Sequence, residues 1–192
     1  MDAILAGLGH LSTAMGAHIL LMNLLAPAAA LWMTRASLPF PAGVSDPLAP
    51  TIVQLLLLWG WHTPPVLTAA MESPALHLTM QLSLMASAVW FWRTIVGAAA
   101  SCPWRAIAAL LITSKLFCLL GVLLTFATRA IYPAMTHHTG AAFDPLADQQ
   151  LAGLMMLIAC PLSYLVAAVV VATRWLTRSE LATQQDEGAR IA

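Results

Sequence analysis

The feature that most constrains this sequence is a series of apolar stretches, each long enough to cross a membrane. A transmembrane helix needs about 20 largely apolar residues to span roughly 30 Å of hydrocarbon. Five stretches meet this requirement, at about 8–33, 51–71, 75–96, 105–128 and 149–173. We therefore predict an all-α, polytopic membrane helix bundle with about five transmembrane helices. We assign residues 1–176 to a single transmembrane domain and residues 177–192 to a polar cytoplasmic tail.

The scarcity of charged residues supports a membrane location. Only 8% of the residues are charged and the formal net charge is zero, whereas soluble domains carry roughly 25% charged residues. A surface so poor in charge would leave large apolar patches in contact with water, but it suits lipid. The chain opens with Met1-Asp2-Ala3, without a basic region, so we expect the first apolar stretch to be retained. Because nucleic-acid binding needs a basic surface, the composition excludes that class of protein.

The distribution of arginine predicts the orientation of the bundle. Basic residues accumulate in the cytoplasmic loops of membrane proteins. Five spans place six arginines on one side of the membrane: Arg35, Arg93, Arg105, Arg174, Arg178 and Arg190. The opposite side holds Arg129 alone. We therefore predict that the N-terminus faces outward and that the C-terminus lies in the cytoplasm.

Histidine and methionine residues on shared helical faces suggest a metal site. Met15 and Met22 flank His18 at spacings i−3 and i+4, so the three side chains share one helical face. Thioether and imidazole groups together suit the soft ion Cu(I). His77 and Met80 share a face of the third stretch in the same way. A structural interpretation stays open, because histidines also bond to neighbouring helices and methionines also fill gaps in apolar cores.

Other polar or polarisable groups lie inside the apolar stretches without forming a motif. Cys118 and Cys160 are on different stretches and no CxxC pattern is present, so we interpret them as small buried hydrophobic residues, with metal binding as the minor alternative. Lys115 lies about ten residues into the fourth stretch, roughly 15 Å deep at 1.5 Å per residue. Its amine either extends toward the cytoplasmic interface or faces a polar cavity with a partner.

Four segments between about residue 12 and residue 176 carry a family resemblance. They are the stretch from Met15 to Pro27, the string Trp61-His62-Thr63-Pro64, His77 with the run Trp90-Phe91-Trp92, and the set formed by Gly121–Phe126, Ile131-Tyr132-Pro133 and Asp148–Met156. The most specific piece is Asp148-Gln149-Gln150-Leu151-Ala152-Gly153-Leu154. Together these segments resemble the multi-span CtaG family of cytochrome c oxidase assembly factors, the group associated with caa-type oxidases.

The resemblance implies a non-enzymatic assembly factor that handles copper for the catalytic subunit of the oxidase. We expect it to act from the outer half of a bacterial cytoplasmic (inner) membrane. The expected cofactor is Cu(I), and the expected partners are cytochrome c oxidase subunits, a periplasmic copper donor and membrane lipid, with no nucleic acid. The candidate metal ligands are His18, His62, His77, Met15, Met22, Met80, Asp148, His137 and His138.

The sequence departs from the family in its histidine pairs. Relatives usually carry a second histidine four residues from each of the two in the first and third helices, and Ala14 and Gln81 occupy these positions here. Cu(I) accepts two or three soft ligands, so the remaining histidines with one methionine suffice if they converge. His137 and His138 then form an entry site with Asp148 on the outer side. Asp148 has an equally good structural role as the N-cap of the fifth helix.

Two functions of other classes stay open. Histidines on three helices also allow axial ligation of a b-type haem, which would make the protein an electron carrier. A scaffold that holds an oxidase subunit without binding metal is the other alternative. Hydrolytic enzymes are disfavoured, because the sequence contains neither a P-loop nor an H-E-x-x-H motif.

Overall fold

All regular secondary structure that the computed structural model describes, over residues 9–39, 46–132 and 144–191, is helical. The elements are α1 (His10–Leu20), a π-helical turn (Leu21–Leu25), α2 (Ala26–Arg35), α3 (Leu48–Trp61), α4 (Pro64–Glu72), α5 (Pro74–Ser101), α6 (Pro103–Thr125) and α7 (Pro145–Ile191). The prediction of an all-α helix bundle is confirmed.

Long apolar helices make this bundle a membrane bundle. Within the described ranges, four segments are long and apolar enough to cross a membrane: Leu11–Arg35, Pro74–Ser101, Pro103–Thr125 and Pro145–Glu187. The first of them joins α1, the π-helical turn and α2 into one continuous segment, called the first span below. These four segments correspond to the first, third, fourth and fifth predicted stretches.

The prediction of one continuous helix over residues 51–71 is wrong. The helix α3 ends at Trp61 and α4 begins at Pro64. With 14 residues, α3 is about 21 Å long, shorter than the roughly 30 Å of a hydrocarbon core. The cause of the break is Pro64, which lacks an N–H group and holds the preceding Thr63 in an extended conformation, with ψ of 138°. His62 therefore lies at a helix end and not inside a span.

The π-helical turn widens the first span close to its buried face. The N–H of Ala26 donates to the carbonyl of Leu21, five residues earlier. Pro27 has no N–H to donate to the carbonyl of Met22, which lies five residues before it in the same π-helical register. This carbonyl instead accepts a hydrogen bond of 3.1 Å from the indole of Trp92 on α5. As a result, two consecutive side chains, those of Met22 and Asn23, are both buried.

The helices α6 and α7 form the most extensive helix pair of the bundle. Two glycines allow their backbones to approach closely. A Cβ atom on Gly153 would lie 2.6 Å from the backbone nitrogen of Thr125 and 2.8 Å from the carbonyl oxygen of Gly121. Since real Cβ atoms do not come so near, only glycine fits at this crossing, as is common where membrane helices pack backbone to backbone.

Arginine side chains join the helix ends and loops on the predicted cytoplasmic side. Arg93 donates to the carbonyl of Leu38 at 2.9 Å, and Arg105 forms an ion pair of 2.9 Å with Asp46. The helix α7 runs through most of the predicted polar tail and ends at Ile191, because the residues beyond Arg178 are mostly good helix formers. The orientation of the bundle in the membrane stays a prediction.

Candidate functional site

The first span and the end of α3 bring two of the predicted histidines together. His18 lies on α1, and His62 follows the last residue of α3. Their ring centroids are 6.0 Å apart and their planes meet at 78°. Each residue is only 4% exposed. The break before Pro64 matters here, because it leaves His62 at the end of its helix beside the first span.

A small cavity of about 10 Å³ lies beside these two histidines. That volume holds about one water-sized particle. The lining consists of Met15, His18, Ile19, Met22, Asn23, Leu58, His62, Phe117, Met156 and Cys160. The face predicted from the spacing of Met15, His18 and Met22 therefore does meet a cavity, and four elements of the bundle enclose it.

The hydrogen bonds of His62 fix the direction of its free lone pair. Its Nδ1 atom lies 2.7 Å from the carbonyl oxygen of Leu58. A carbonyl only accepts, so in the neutral ring Nδ1 carries the proton and Nε2 is the acceptor. Nε2 lies 3.3 Å from the thioether sulfur of Met15, which carries no proton either. Two lone pairs consequently face each other on one side of the cavity.

His18 has no hydrogen-bond partner at either ring nitrogen. A buried polar group left unpaired costs about 1–3 kcal/mol, so this imidazole is available for a ligand. His62 and His77 act on it electrostatically, and the side chain of Gln81 is a hydrogen-bonding group close to it. His77 is half-buried, and its Nε2 lies 3.3 Å from the amide nitrogen of Gln81. All three predicted histidines of the apolar stretches thus belong to one region of the bundle.

The donor atoms that meet beside His62 are nitrogen and sulfur. In the described part of the chain, no three side chains of the types His, Cys, Asp or Glu are placed to share a metal ion. The arrangement near the cavity instead combines the imidazoles of His18 and His62 with the thioether of Met15. Imidazole and thioether donors suit a soft monovalent ion, whereas the side-chain oxygen of Asn23 in the cavity wall already accepts a hydrogen bond from Ser163.

Met80, another predicted ligand, is not part of this arrangement. Met80 is fully buried in the core on α5 but does not line the cavity. His137 and His138 lie outside the described residues, and so the entry site predicted with them stays a prediction.

Asp148 binds the N-terminus of another helix. Its carboxylate accepts hydrogen bonds from the backbone nitrogens of Leu11 at 2.9 Å and Ser12 at 3.1 Å, and from the hydroxyl of Ser12 at 2.6 Å. These are the free N–H groups at the start of α1, where an acidic group also suits the helix dipole. The structural role considered for Asp148 is therefore found, but on the first span and not on its own helix.

The two residues after Asp148 connect α7 to the end of α6. Gln149 accepts a bond of 2.6 Å from the backbone nitrogen of Ile131, and Gln150 donates to the carbonyl of Ala127 at 3.3 Å. Tyr132, in the same connection, donates to the carbonyl of His62 at 2.7 Å. Burial raises the pKa of Tyr132 to about 12, so its hydroxyl keeps the proton that it donates. The most specific string of the sequence thus holds together the elements that surround the histidines.

Three residues of the cavity wall that carry polar or sulfur atoms are not among the candidate ligands predicted from the sequence: Asn23, Met156 and Cys160. Asn23 accepts from the hydroxyl of Ser163 at 2.7 Å and donates to the sulfur of Cys160 at 3.8 Å. The available signals were the i, i+4 spacing of Met156 and Cys160 and the polar Asn23 within an apolar stretch. Neither signal indicates which helix faces which, so Cys160 was interpreted mainly as a small buried residue, with metal binding as the minor alternative.

Comparisons with known proteins assign the chain to a family. The model of the family described as cytochrome c oxidase caa3 assembly factor (Caa3_CtaG) matches residues 4–178. Comparisons with curated proteins and with solved structures gave no match. The matched range includes α1 to α6, the membrane part of α7 and every residue of the cavity wall. Since the match extends over most of the sequence, the chain belongs to the family of cytochrome c oxidase caa3 assembly factors.

Proposed function

We propose that this assembly factor carries copper for the oxidase, and that Cu(I) binds between His18, His62 and Met15. Copper is here a cargo that is received and passed on, not a resident cofactor. The protein would act in a bacterial cytoplasmic membrane, with the N-terminus outward and the histidines in the outer half. The supporting observations are the family, the convergence of the two histidines, and the nitrogen and sulfur atoms beside a cavity of about 10 Å³.

The observation that carries the proposal is the contact of 3.3 Å between Nε2 of His62 and the sulfur of Met15. The opposite tautomer would direct a weak hydrogen bond to sulfur, but it would leave the Nδ1 lone pair 2.7 Å from the carbonyl of Leu58. That arrangement is less favourable, because two acceptors, the nitrogen of His62 and the oxygen of Leu58, would then lie at hydrogen-bond distance without a proton between them. With the proton on Nδ1, a cation between Nε2 and sulfur removes the repulsion of the two lone pairs.

The charge of the donors favours a monovalent ion. Imidazole and thioether groups are neutral as ligands, so the bound ion keeps its full charge inside the bundle. A buried charge is costly in a medium of low dielectric constant, and the Born cost increases steeply with charge. Cu(I) therefore enters with a smaller penalty than Cu(II) or Zn²⁺. Soft thioether sulfur favours Cu(I) further.

His77 offers a connection between the buried site and the surface of the bundle. It is half-buried, and it acts electrostatically on His18. Its hydrogen-bond contact is Gln81, at the position where relatives usually have a second histidine. We assign His77 to the transfer of copper to or from the buried pair. Its loss should slow exchange more than it weakens the final affinity.

The cavity volume argues against the haem alternative. Two histidine rings 6.0 Å apart could flank an iron atom. However, a space of about 10 Å³ holds one water-sized particle and not a porphyrin. The walls are formed by packed side chains of the first span, α3, α6 and α7, so a haem would require these helices to separate.

The direct test is a competition titration with a colorimetric Cu(I) chelator, using protein purified in lipid nanodiscs. Met15→Leu conserves volume, so the fold should be retained, and we expect Cu(I) affinity to decrease at least about tenfold, which corresponds to 1.4 kcal/mol. Met80→Leu is the matched control, because Met80 is equally buried but does not line the cavity. Equal affinities of the two variants would contradict the assignment of Met15.

The cellular test measures oxidase activity when copper is limiting. Cells that carry Met15→Leu or His62→Ala should lose oxidase activity at low copper and recover it when copper is added. A scaffold that binds no metal predicts a different result, namely activity that does not depend on these side chains. Full activity of both variants at limiting copper would therefore favour the scaffold.

A further inference from the structure

Lys115 occupies the least favourable depth for a charged side chain in this bundle. It lies 12 residues after Pro103 and 10 residues before Thr125 in a helix of 23 residues, which places it about 18 Å and 15 Å from the two ends of α6. The lysine side chain is much shorter than either distance, so snorkelling does not bring the amine to an interface. It is also the only lysine in the sequence.

The side chain lies on the outside of the bundle and not in a polar cavity. Lys115 is exposed, and so are its neighbours one helical turn away, Leu111, Ile112 and Leu119. These four residues are called the Lys115 face below. The opposite side of α6 is buried, with Phe117 in the core. In the described part of the chain, no ion pair or hydrogen bond involves the amine of Lys115.

A lipid-facing ammonium group at mid-depth is costly, and intramembrane charges in proteins usually pair with one another. Among the described residues, no carboxylate forms an ion pair with Lys115. Asp46 pairs with Arg105, and Asp148 binds the start of α1. A carboxylate on another membrane helix would provide the opposite charge for the ammonium group of Lys115. Its leucine and isoleucine side chains would pack against the apolar surface of the same helix.

We propose that the Lys115 face docks a transmembrane helix of the oxidase under assembly, one that carries Asp or Glu near the centre of the membrane. The family supplies the reason for an oxidase partner, since an assembly factor must associate with its client. The charge supplies the chemistry, because a carboxylate at this depth has the same need for a partner as Lys115. The proposal does not depend on copper binding.

The test uses a membrane-permeant carbodiimide, which joins a lysine amine to a carboxylate in direct contact. Membranes that contain the wild-type protein and its oxidase should give a cross-link from Lys115 to an Asp or Glu within a transmembrane helix of an oxidase subunit, identified by mass spectrometry. Because the chain has one lysine, Lys115→Arg removes the reactive amine and keeps the charge. This variant should lose the cross-link but still co-purify with the oxidase.

Lys115→Leu removes the charge and should reduce co-purified oxidase at least about tenfold. Leu82→Ile, at an exposed position on α5 and not part of the Lys115 face, should have no such effect. Cu(I) affinity of purified Lys115→Leu should equal that of the wild type, which separates this proposal from the copper proposal. A cross-link to a second copy of the chain, no cross-link to a protein, or full co-purification of Lys115→Leu would each overturn the proposal.

Discussion

The substitution Asp148→Asn separates the structural role of Asp148 from its predicted role in metal binding. In the structure, one carboxylate oxygen accepts two hydrogen bonds from Ser12 and the other accepts one from the backbone of Leu11. The amide of asparagine keeps an acceptor for Ser12. Its NH₂ group, however, would face the N–H of Leu11, and two donors repel each other.

The expected loss follows from these three bonds. A hydrogen bond to a charged group contributes about 1.5–3 kcal/mol, against about 1 kcal/mol for a neutral one. Asp148→Asn loses the bond from Leu11 and weakens the two from Ser12. Asp148 is only 9% exposed, so solvent does little to replace these bonds. We expect the free energy of unfolding to decrease by about 2–3 kcal/mol.

The assay is unfolding of the detergent-solubilised protein by SDS, followed by circular dichroism. Asp144→Asn is the matched control, because Asp144 lies one turn before Asp148 but is exposed. This control should change the free energy of unfolding by no more than about 0.5 kcal/mol. Both variants are also titrated with Cu(I), and Asp148→Asn should bind it with wild-type affinity.

Two results would refute this reasoning. If Asp148→Asn is as stable as Asp144→Asn, the three hydrogen bonds do not contribute as calculated. If Asp148→Asn retains its stability but loses Cu(I) affinity, Asp148 is a metal ligand, as the sequence also allowed.

Three further predictions concern the packing around the site. Gly153→Ala should lower the free energy of unfolding by about 1–3 kcal/mol, because its Cβ would lie 2.6 Å from a backbone nitrogen of α6. Gly97→Ala should leave the free energy of unfolding unchanged, because no atom lies within 4 Å of the added Cβ. Equal SDS unfolding curves for the two variants would contradict this prediction. Ser163→Ala should lower the free energy of unfolding by about 0.6 kcal/mol, because it loses an interhelical hydrogen bond. Ser179→Ala is the control and should be neutral in the same assay, because its hydroxyl bonds only within its own helix. A larger loss for Ser179→Ala than for Ser163→Ala would be inconsistent with the structure. Burial raises the pKa of Tyr132 to about 12, above its ordinary value of about 10. The contribution of Tyr132 to the free energy of unfolding is therefore complete below a pH of about 10, and it declines as the pH rises through 12. Unfolding measured against pH should show this decline in the wild type and not in Tyr132→Phe; a decline of the same size in both would assign it to other groups.

The sequence predicted the helical elements well where length and polarity alone decide them. The stretches around His18, His77, Lys115 and Cys160 are all in long apolar helices. The stretch around His62 was predicted as one helix, although Pro64 was visible, because its apolar composition extends across the break. Hydrophobicity reports the environment of a segment, and it is insensitive to a local change of direction.

The candidate site was predicted in part. The spacing of Met15, His18 and Met22 correctly indicated one face, because i, i+3 and i+4 neighbours on a helix always align. Spacing within one helix does not indicate which residues of other helices face it. For that reason His62 could be named only as a candidate. A metal-binding role for Cys160, which lines the same cavity, was only the minor alternative to a small buried residue.

The sequence by itself determined that this chain forms a membrane bundle, which residues are its polar exceptions, and to which family it is similar. These properties depend on composition and local spacing, and every segment carries them independently of its neighbours. Only the tertiary structure decided which of the exceptions meet. Asp148 binds the start of α1, His62 meets Met15, and Lys115 remains on the outer surface. Contacts between residues more than 40 positions apart depend on how the helices rotate and cross. Glycine crossings, helix breaks and helix caps together determine this packing of the helices.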